Sequence, residues 1–183
     1  MPQLKNLIIS TFAAAVLLLF GGVNQVSADP LTYEVVGDTV TIKDCKETAS
    51  GALAIPSIYE GKPVTSIGDW AFYGCTKLTR VKIPDSVTGI GYAALSKCSS
   101  LTSIDVGEAN TEYSSEDGVL FDKNKTELIQ FPAGKSGRYS IPDSVSSIGA
   151  YAFYNCSGLT GIEVGKGNTE YTSEDGVLFN KNK

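Results

Sequence analysis

Three stretches of the chain fall into one hydrophobic pattern when Val64, Val87 and Val145 are set as common starting points. Each start leads to an Ile-Gly pair, at Ile67-Gly68, Ile90-Gly91 and Ile148-Gly149. An alanine follows three residues on, at Ala71, Ala94 and Ala152, and then a large apolar residue, Phe72, Leu95 or Phe153. A cysteine (Cys75, Cys98, Cys156) and a leucine (Leu78, Leu101, Leu159) complete the apolar slots. After the leucine the spacing changes. In Leu78-Thr79-Arg80-Val81-Lys82-Ile83, Val81 and Ile83 alternate with Arg80 and Lys82, which predicts a strand with one buried face. Pro84 ends that strand because it cannot donate to a ladder. Asp69 stands before Trp70-Ala71-Phe72-Tyr73, so the sequence predicts a capped short helical turn there, closed by Gly74.

Two of these units are 23 residues apart, and the segment 87–125 is written out again 58 positions later as 145–183, with 25 of 39 positions identical. A chain that copies itself at fixed spacing is a stack of units, none of which can bury its apolar side alone. A period of about 20 to 29 residues with fixed inward Leu and Cys slots belongs to leucine-rich repeats. The predicted fold is therefore a leucine-rich repeat solenoid, β-rich with short helical turns, coiled as a right-handed stack. The segments Ile83-Pro84-Asp85-Ser86-Val87 and Ile141-Pro142-Asp143-Ser144-Val145, each leading into Ile-Gly-x-x-Ala-x-x-x-Cys-x-x-Leu, make the pattern more specific. It resembles the BspA-like leucine-rich repeat family of bacterial surface proteins, from about Leu31 to the last residue. That resemblance implies a curved solenoid, export, and adhesion or partner binding, with no catalytic residues to carry over.

The pattern divides the chain into a signal peptide (1–28), an N-terminal capping segment (29–63), and repeats at 64–86, 87–109 and 145–167, with an insert at 110–144 and a shortened copy of that insert at 168–183. In the insert, Asp117-Gly118 predicts a turn, Val119-Leu120-Phe121 a strand, Asp122 to Lys125 another turn, and Leu128 to Phe131 a returning strand. Its copy ends at Lys183 before any returning strand, which predicts an open edge able to self-associate and favours a truncated array over a fraying last coil. At the start, Lys5, the apolar run from Leu7 to Phe20 and the small residues Val26-Ser27-Ala28 read as an export leader cleaved after Ala28.

The leader carries one charge, Lys5, so its removal takes the formal net charge from −5 to −6 (−5 less the +1 of Lys5). Lysines and arginines are scattered singly, which argues against nucleic acid as a partner, and membrane contact is expected only through export. There is no histidine among the 183 residues, which excludes Ser-His-Asp and Cys-His catalysis. The repeated acidic pairs Glu116-Asp117 and Glu174-Asp175 sit beside Gly118 and Gly176 and read as turn residues; calcium binding there would lack an EF-type loop. No metal, cofactor or catalytic residue is assigned. Cys75, Cys98 and Cys156 share one slot and read as inward thiols, while coils about 5 Å apart leave a Cys75–Cys98 bridge sterically open. Cys45 lies outside the repeat and is expected under the first coil.

A ligand surface, if the solenoid has one, belongs on the outward strand positions that vary between coils: Arg80 and Lys82, Ser103 and Asp105, Gly161 and Glu163. Recognition and drift on a solvated face fit that variation equally. Trp70, Tyr73, Tyr92, Tyr151 and Tyr154 flank the core slots, either as anchors for a protein or glycan or as packing between coils. The functional expectation is a non-enzymatic binding or adhesion module, secreted or at the cell surface. The alternative is a structural spacer, or a fragment of a larger surface protein whose functional domain lies elsewhere.

Overall fold

The computed structural model describes residues 29–181; the expected leader at 1–28 lies outside them. Sixteen strands follow in chain order: β1 (Leu31–Val36), β2 (Thr39–Cys45), β3 (Ser50–Ala54), β4 (Ile58–Tyr59), β5 (Lys62–Ile67), β6 (Lys77–Ile83), β7 (Gly89–Ile90) and β8 (Ser103–Val106); then β9 (Tyr113–Glu116), β10 (Val119–Asp122), β11 (Glu127–Gln130), β12 (Gly137–Ile141), β13 (Ser147–Ile148), β14 (Leu159–Val164), β15 (Tyr171–Glu174) and β16 (Val177–Asn180). They wind as a β-solenoid of about five turns.

Each coil contributes one strand to each of two parallel ladders. One ladder runs β2, β5, β7, and the other β3, β6, β8. The 23-residue period is the ladder register itself: Ile67 lies opposite Ile90, Val81 opposite Ile104, and Tyr139 opposite Ile162. Stacking in register places like on like, so Leu78, Val81, Ile83, Leu101 and Ile104 are all fully buried between the ladders. Removing each from water stabilises the stack by about 1.5–3 kcal/mol, which no single coil could obtain alone.

The insert interrupts this order with an antiparallel hairpin. Asp117 and Gly118 both have positive φ, 50° and 75°, the two-residue turn whose twist matches its strands. The hairpin does not project into solvent. Gly118 O accepts the Ile104 N–H at 2.8 Å and Ser115 Oγ accepts the Val106 N–H at 3.0 Å, so the turn covers donors that β8 would otherwise leave open. The copy does the same, with Gly176 O on Ile162 N–H and Ser173 Oγ on Val164 N–H. Strand β10 then acts as a wall between two cores. Leu120 packs with the preceding coils, Val119 and Phe121 with the following ones, as alternating strand side chains must. All three are 0% exposed.

The predicted helical turns are not present. The N–H groups of Trp70, Phe72 and Gly74 donate across to Tyr92 O, Ala94 O and Ser96 O of the next coil, while those of Ala71, Tyr73 and Cys75 donate three residues back to Gly68, Trp70 and Phe72. Local and inter-coil bonds alternate residue by residue. Left-handed backbone makes this possible: Trp70, Ala93 and Tyr151 share one slot and Gly74, Lys97 and Asn155 another, and all six have positive φ. A helix cannot run through such residues. Asp69 correspondingly caps nothing in its own coil; its Oδ1 accepts the Tyr92 N–H of the next at 2.7 Å.

The cysteines line the same wall as free thiols. Cys98 Sγ donates to Phe72 O at 3.0 Å, and Cys156 Sγ to Phe131 O at 3.8 Å. Burial pushes Cys98 up to about 12 and Cys156 to about 11 from an ordinary 9.0. A folded-state pKa above the unfolded one means stability that is intact below pH 9 and lost as pH rises toward 12. The urea midpoint followed by circular dichroism should therefore be flat from pH 7 to 8.5 and fall above 9, with a shallower fall in Cys98→Ala.

Candidate functional site

Along β6, β8, β12 and β14 the outward face carries charge, and that charge is paired across coils. Arg80 meets Asp105 at 2.9 Å, and Ser103 Oγ donates to the other Asp105 oxygen at 2.7 Å. Arg138 meets Glu163 at the same 2.9 Å. The second pair is the first displaced by 58 residues, so the cross-coil bridge is part of the repeat. Arg138 was not among the expected surface residues, although the 58-residue offset from Arg80 points to it. Such exposed pairs contribute about 0–1 kcal/mol each, and they hold Arg80, Asp105 and Glu163 toward their partners rather than outward. Lys82 is exposed on β6 beside them; Gly161 is buried, its Cα against Gly176 of the terminal hairpin.

The turn that precedes β6, β8 and β14 in each coil carries a patch of different character. Trp70, Tyr92 and Tyr151 form a triangle of edge-to-face rings, with centroids 5.3, 5.3 and 5.8 Å apart. Tyr73 extends it from Trp70 at 5.1 Å and Tyr154 from Tyr151 at 5.4 Å, and Lys97 lies over the Tyr73 ring at 5.3 Å. Trp70, Tyr92, Tyr151 and Tyr154 are each 41–49% exposed. The backbone fixes the arrangement, since Trp70 N–H donates to Tyr92 O and the left-handed conformations of Trp70 (φ 59°) and Tyr151 (φ 65°) turn both side chains outward from one slot. Holding bulky residues there costs about 1–3 kcal/mol each, offset by the inter-coil bonds around them. A hydrogen bond with Tyr151 raises the Tyr92 phenol above its ordinary range.

Tyr92 and Tyr151 meet although the insert lies between their coils. The insert is recessed at this wall, where the buried Gln130 bridges them: it accepts from Ser96 Oγ at 3.3 Å and donates to Ala152 O at 3.0 Å. The recess leaves a cleft of about 160 Å³ beside Tyr92, lined chiefly by Ile90, Leu95, Leu120 and Ile129 with Glu127 as its one charge. An apolar hollow rimmed by rings and a carboxylate can hold a partner by contact and hydrogen bonding. The acidic turn residues form no comparable site. Glu116 is paired with Lys125 at 3.1 Å, and Lys135 Nζ donates to Asp117 O. Among the described residues no group of three or more acidic or cysteine side chains is placed to hold a metal ion, and no helix is long and apolar enough to cross a membrane.

The repeat slots read from the sequence sort by position in the stack. Ala71, Phe72, Cys75, Leu78, Ala94, Leu95, Cys98 and Leu101 are buried, and so is Ala152; Phe153, Cys156 and Leu159 of the last full coil are half-buried. A crystal structure of a leucine-rich repeat protein from Eubacterium ventriosum is similar to this chain, with 34% identity over 64% of this chain and 30% of that one, and a TM-score of 0.57. A leucine-rich repeat protein from Bacteroides ovatus is 25% identical over 77% of this chain and 41% of its own, with a TM-score of 0.48. A leucine rich cell surface protein from Faecalibacterium prausnitzii is 20% identical over 85% and 57%, with a TM-score of 0.43. The chain thus spans less than two thirds of each of these proteins, and no curated protein matches it. The sequence profile of the BspA type leucine rich repeat region matches six times, over residues 50–136 and 131–175. By that match, and by the coil register that underlies it, the chain belongs to the BspA-type leucine-rich repeat family.

Proposed function

We propose that this protein is an exported, non-catalytic recognition module that acts at the cell surface, and that its contact surface is centred on the Trp70–Tyr92–Tyr151 cluster. The observation that carries the reading is the exposure of four large rings on a backbone rigidly bonded from coil to coil. Ordered aromatics supply contact area at little entropic cost, which is why Trp and Tyr dominate interface hot spots. Export is supported by the leader-like residues 1–28 and by the family. The expected partner is a protein or a glycan. Arg80, Ser103, Asp105 and Glu163, held in their side-chain contacts, would form a flanking rim with the exposed Lys82, which would contribute more to association rate than to affinity.

Saturable binding to immobilised basement-membrane extract and to a printed glycan array tests this. Trp70→Ala with Tyr151→Ala should weaken binding at least about tenfold while the melting profile shows the coils still stacked. Loss on Arg80→Glu with Lys82→Glu, but not on ring removal, would move the site to the strand face. Silence of the parent protein on both surfaces would favour a spacer that holds another domain away from the cell.

A further inference from the structure

The cysteine wall contains one pair that its repeat does not explain. Each sulfur of the wall points one coil toward the N-terminus. For Cys98 and Cys156 that step lands on the carbonyls of Phe72 and Phe131. For Cys75 the preceding coil is the capping segment, and the step lands on Cys45: Cys75 Sγ is 3.4 Å from Cys45 O and 3.8 Å from Lys46 O. Cys45 Sγ is itself 3.8 Å from Lys46 O, so the two sulfurs converge on one carbonyl. The proximity of the two thiols raises the Cys45 thiol and lowers that of Cys75. Cys98, the neighbour on the other side, is committed elsewhere: its Sγ donates to Phe72 O at 3.0 Å and lies 3.9 Å from Ser96 O.

We infer that Cys45 and Cys75 are a disulfide site, cross-linked when the chain folds in the presence of a small-molecule disulfide such as oxidised glutathione. Of the two candidate partners of Cys75, the one outside the repeat is the one geometry selects. The exchange balances in two steps. The Cys75 thiolate attacks one sulfur of the oxidant, breaking its S–S bond and releasing one thiolate. The Cys45 thiolate then attacks Cys75 Sγ of the mixed disulfide and releases the second. Two protein thiols are oxidised, one disulfide is reduced to two thiols, and the two cysteine protons pass to the departing thiolates. Both cysteines are no more than 2% exposed, so the reaction belongs to the folding chain rather than to the closed native state.

The bond would fall at a terminal unit of the stack. The hairpin β1–β2 is joined to the coils through the pairing of β2 with β5, and Val35 and Val36 at its tip are 42% and 55% exposed. Terminal units of a solenoid, with one neighbour each, open first. A 45–75 link closes the loop that contains β3, β4 and β5 and so ties the cap to the first full coil.

The test is refolding of the full chain in oxidised and reduced glutathione, alkylation of remaining thiols under denaturing conditions, and non-reducing peptide mass mapping. The expected result is one Cys45–Cys75 peptide, with Cys98 and Cys156 alkylated, and a melting temperature several degrees higher than in reductant. Four alkylated cysteines, or a Cys75–Cys98 peptide, would overturn the inference. So would a Cys45–Cys75 link without a thermal gain over the reduced protein. No ligand enters the experiment, so its outcome is independent of the recognition surface.

Discussion

Replacing Asn110 with alanine is expected to lower stability by roughly 4 kcal/mol, among the largest effects any exchange in this chain should produce. The side chain is fully buried and all of its hydrogen-bonding capacity is spent on backbone. Nδ2 donates to Pro84 O at 3.0 Å and to Val87 O at 2.8 Å, one coil earlier, and Oδ1 accepts from Glu112 N at 2.9 Å and Tyr113 N at 2.8 Å. One amide thus ties the turn of one coil to the start of the hairpin in the next. Alanine would leave the Val87 carbonyl and two N–H groups without these partners, and Pro84 O with only its bond from the Val87 N–H, in a place water reaches poorly, and each lost partner costs about 1–3 kcal/mol before relaxation. Aspartate should be as harmful, because it keeps the acceptor but sets a carboxylate against two carbonyl oxygens. Equilibrium urea unfolding read by far-UV circular dichroism measures this. A loss below about 1 kcal/mol for both variants would contradict the structural role. Asn168 repeats the four bonds in the second copy, on Pro142, Val145, Glu170 and Tyr171, so Asn168→Ala should show the same behaviour there.

The second large effect comes as a matched pair. Phe121 and Phe179 occupy the same place in two copies of Ser-Glu-Asp-Gly-Val-Leu-Phe, yet Phe121 is 0% and Phe179 47% exposed. Phe121→Ala should cost about 3–5 kcal/mol through lost burial and the cavity left behind. Phe179→Ala should cost under about 1 kcal/mol, the usual scale at the surface. Because Phe121 stands on the wall between the two cores, its loss should also weaken the coupling between them. Thermal melts of Phe121→Ala should broaden or split, while those of Phe179→Ala keep the parent shape. Equal effects of the two exchanges would mean that the terminal hairpin is covered in solution as the internal one is.

That contrast also shows what a sequence can carry. The strands were legible because a one-sided strand must alternate, as Val81 and Ile83 do with Arg80 and Lys82, and the hairpin turn was legible because Asp-Gly suits a backbone with two positive φ angles. The turn wall was not. Ala71, Phe72, Cys75 and Leu78 recur at helical spacing, and only the inter-coil bonds from Trp70, Phe72 and Gly74 reveal a left-handed zigzag with the same inward residues. Apolar spacing reports which side chains point inward and leaves the path between them open.

The aromatic residues were legible in the sequence, but their contact was hidden for a related reason. Trp70 and Tyr151 share a repeat slot, but Tyr92 stands one residue before its own, at the place that Ala150 fills in the copy. Aligning the repeats therefore separates residues that the recessed insert brings into contact. The repeated bridge Arg80–Asp105 and Arg138–Glu163 could have been found by extending the 58-residue copy upstream of Val87. The pairing of Cys45 with Cys75 could not, because Cys45 obeys no period and is placed by the capping hairpin.

The identity of the two cross-coil registers has a genetic consequence. Lys82 lies opposite Asp105, Ser140 lies opposite Glu163, and Val87 and Val145 each donate to the proline three residues before them. The chain is therefore in the same structural phase at 86/87 and at 144/145. Unequal crossing-over between the two copies would insert or excise a 58-residue block while joining Ile-Pro-Asp-Ser to Val as before, and every new coil boundary would reproduce one already tested by folding. Array length in such a gene can therefore change in whole 58-residue steps without altering the sequence of any coil.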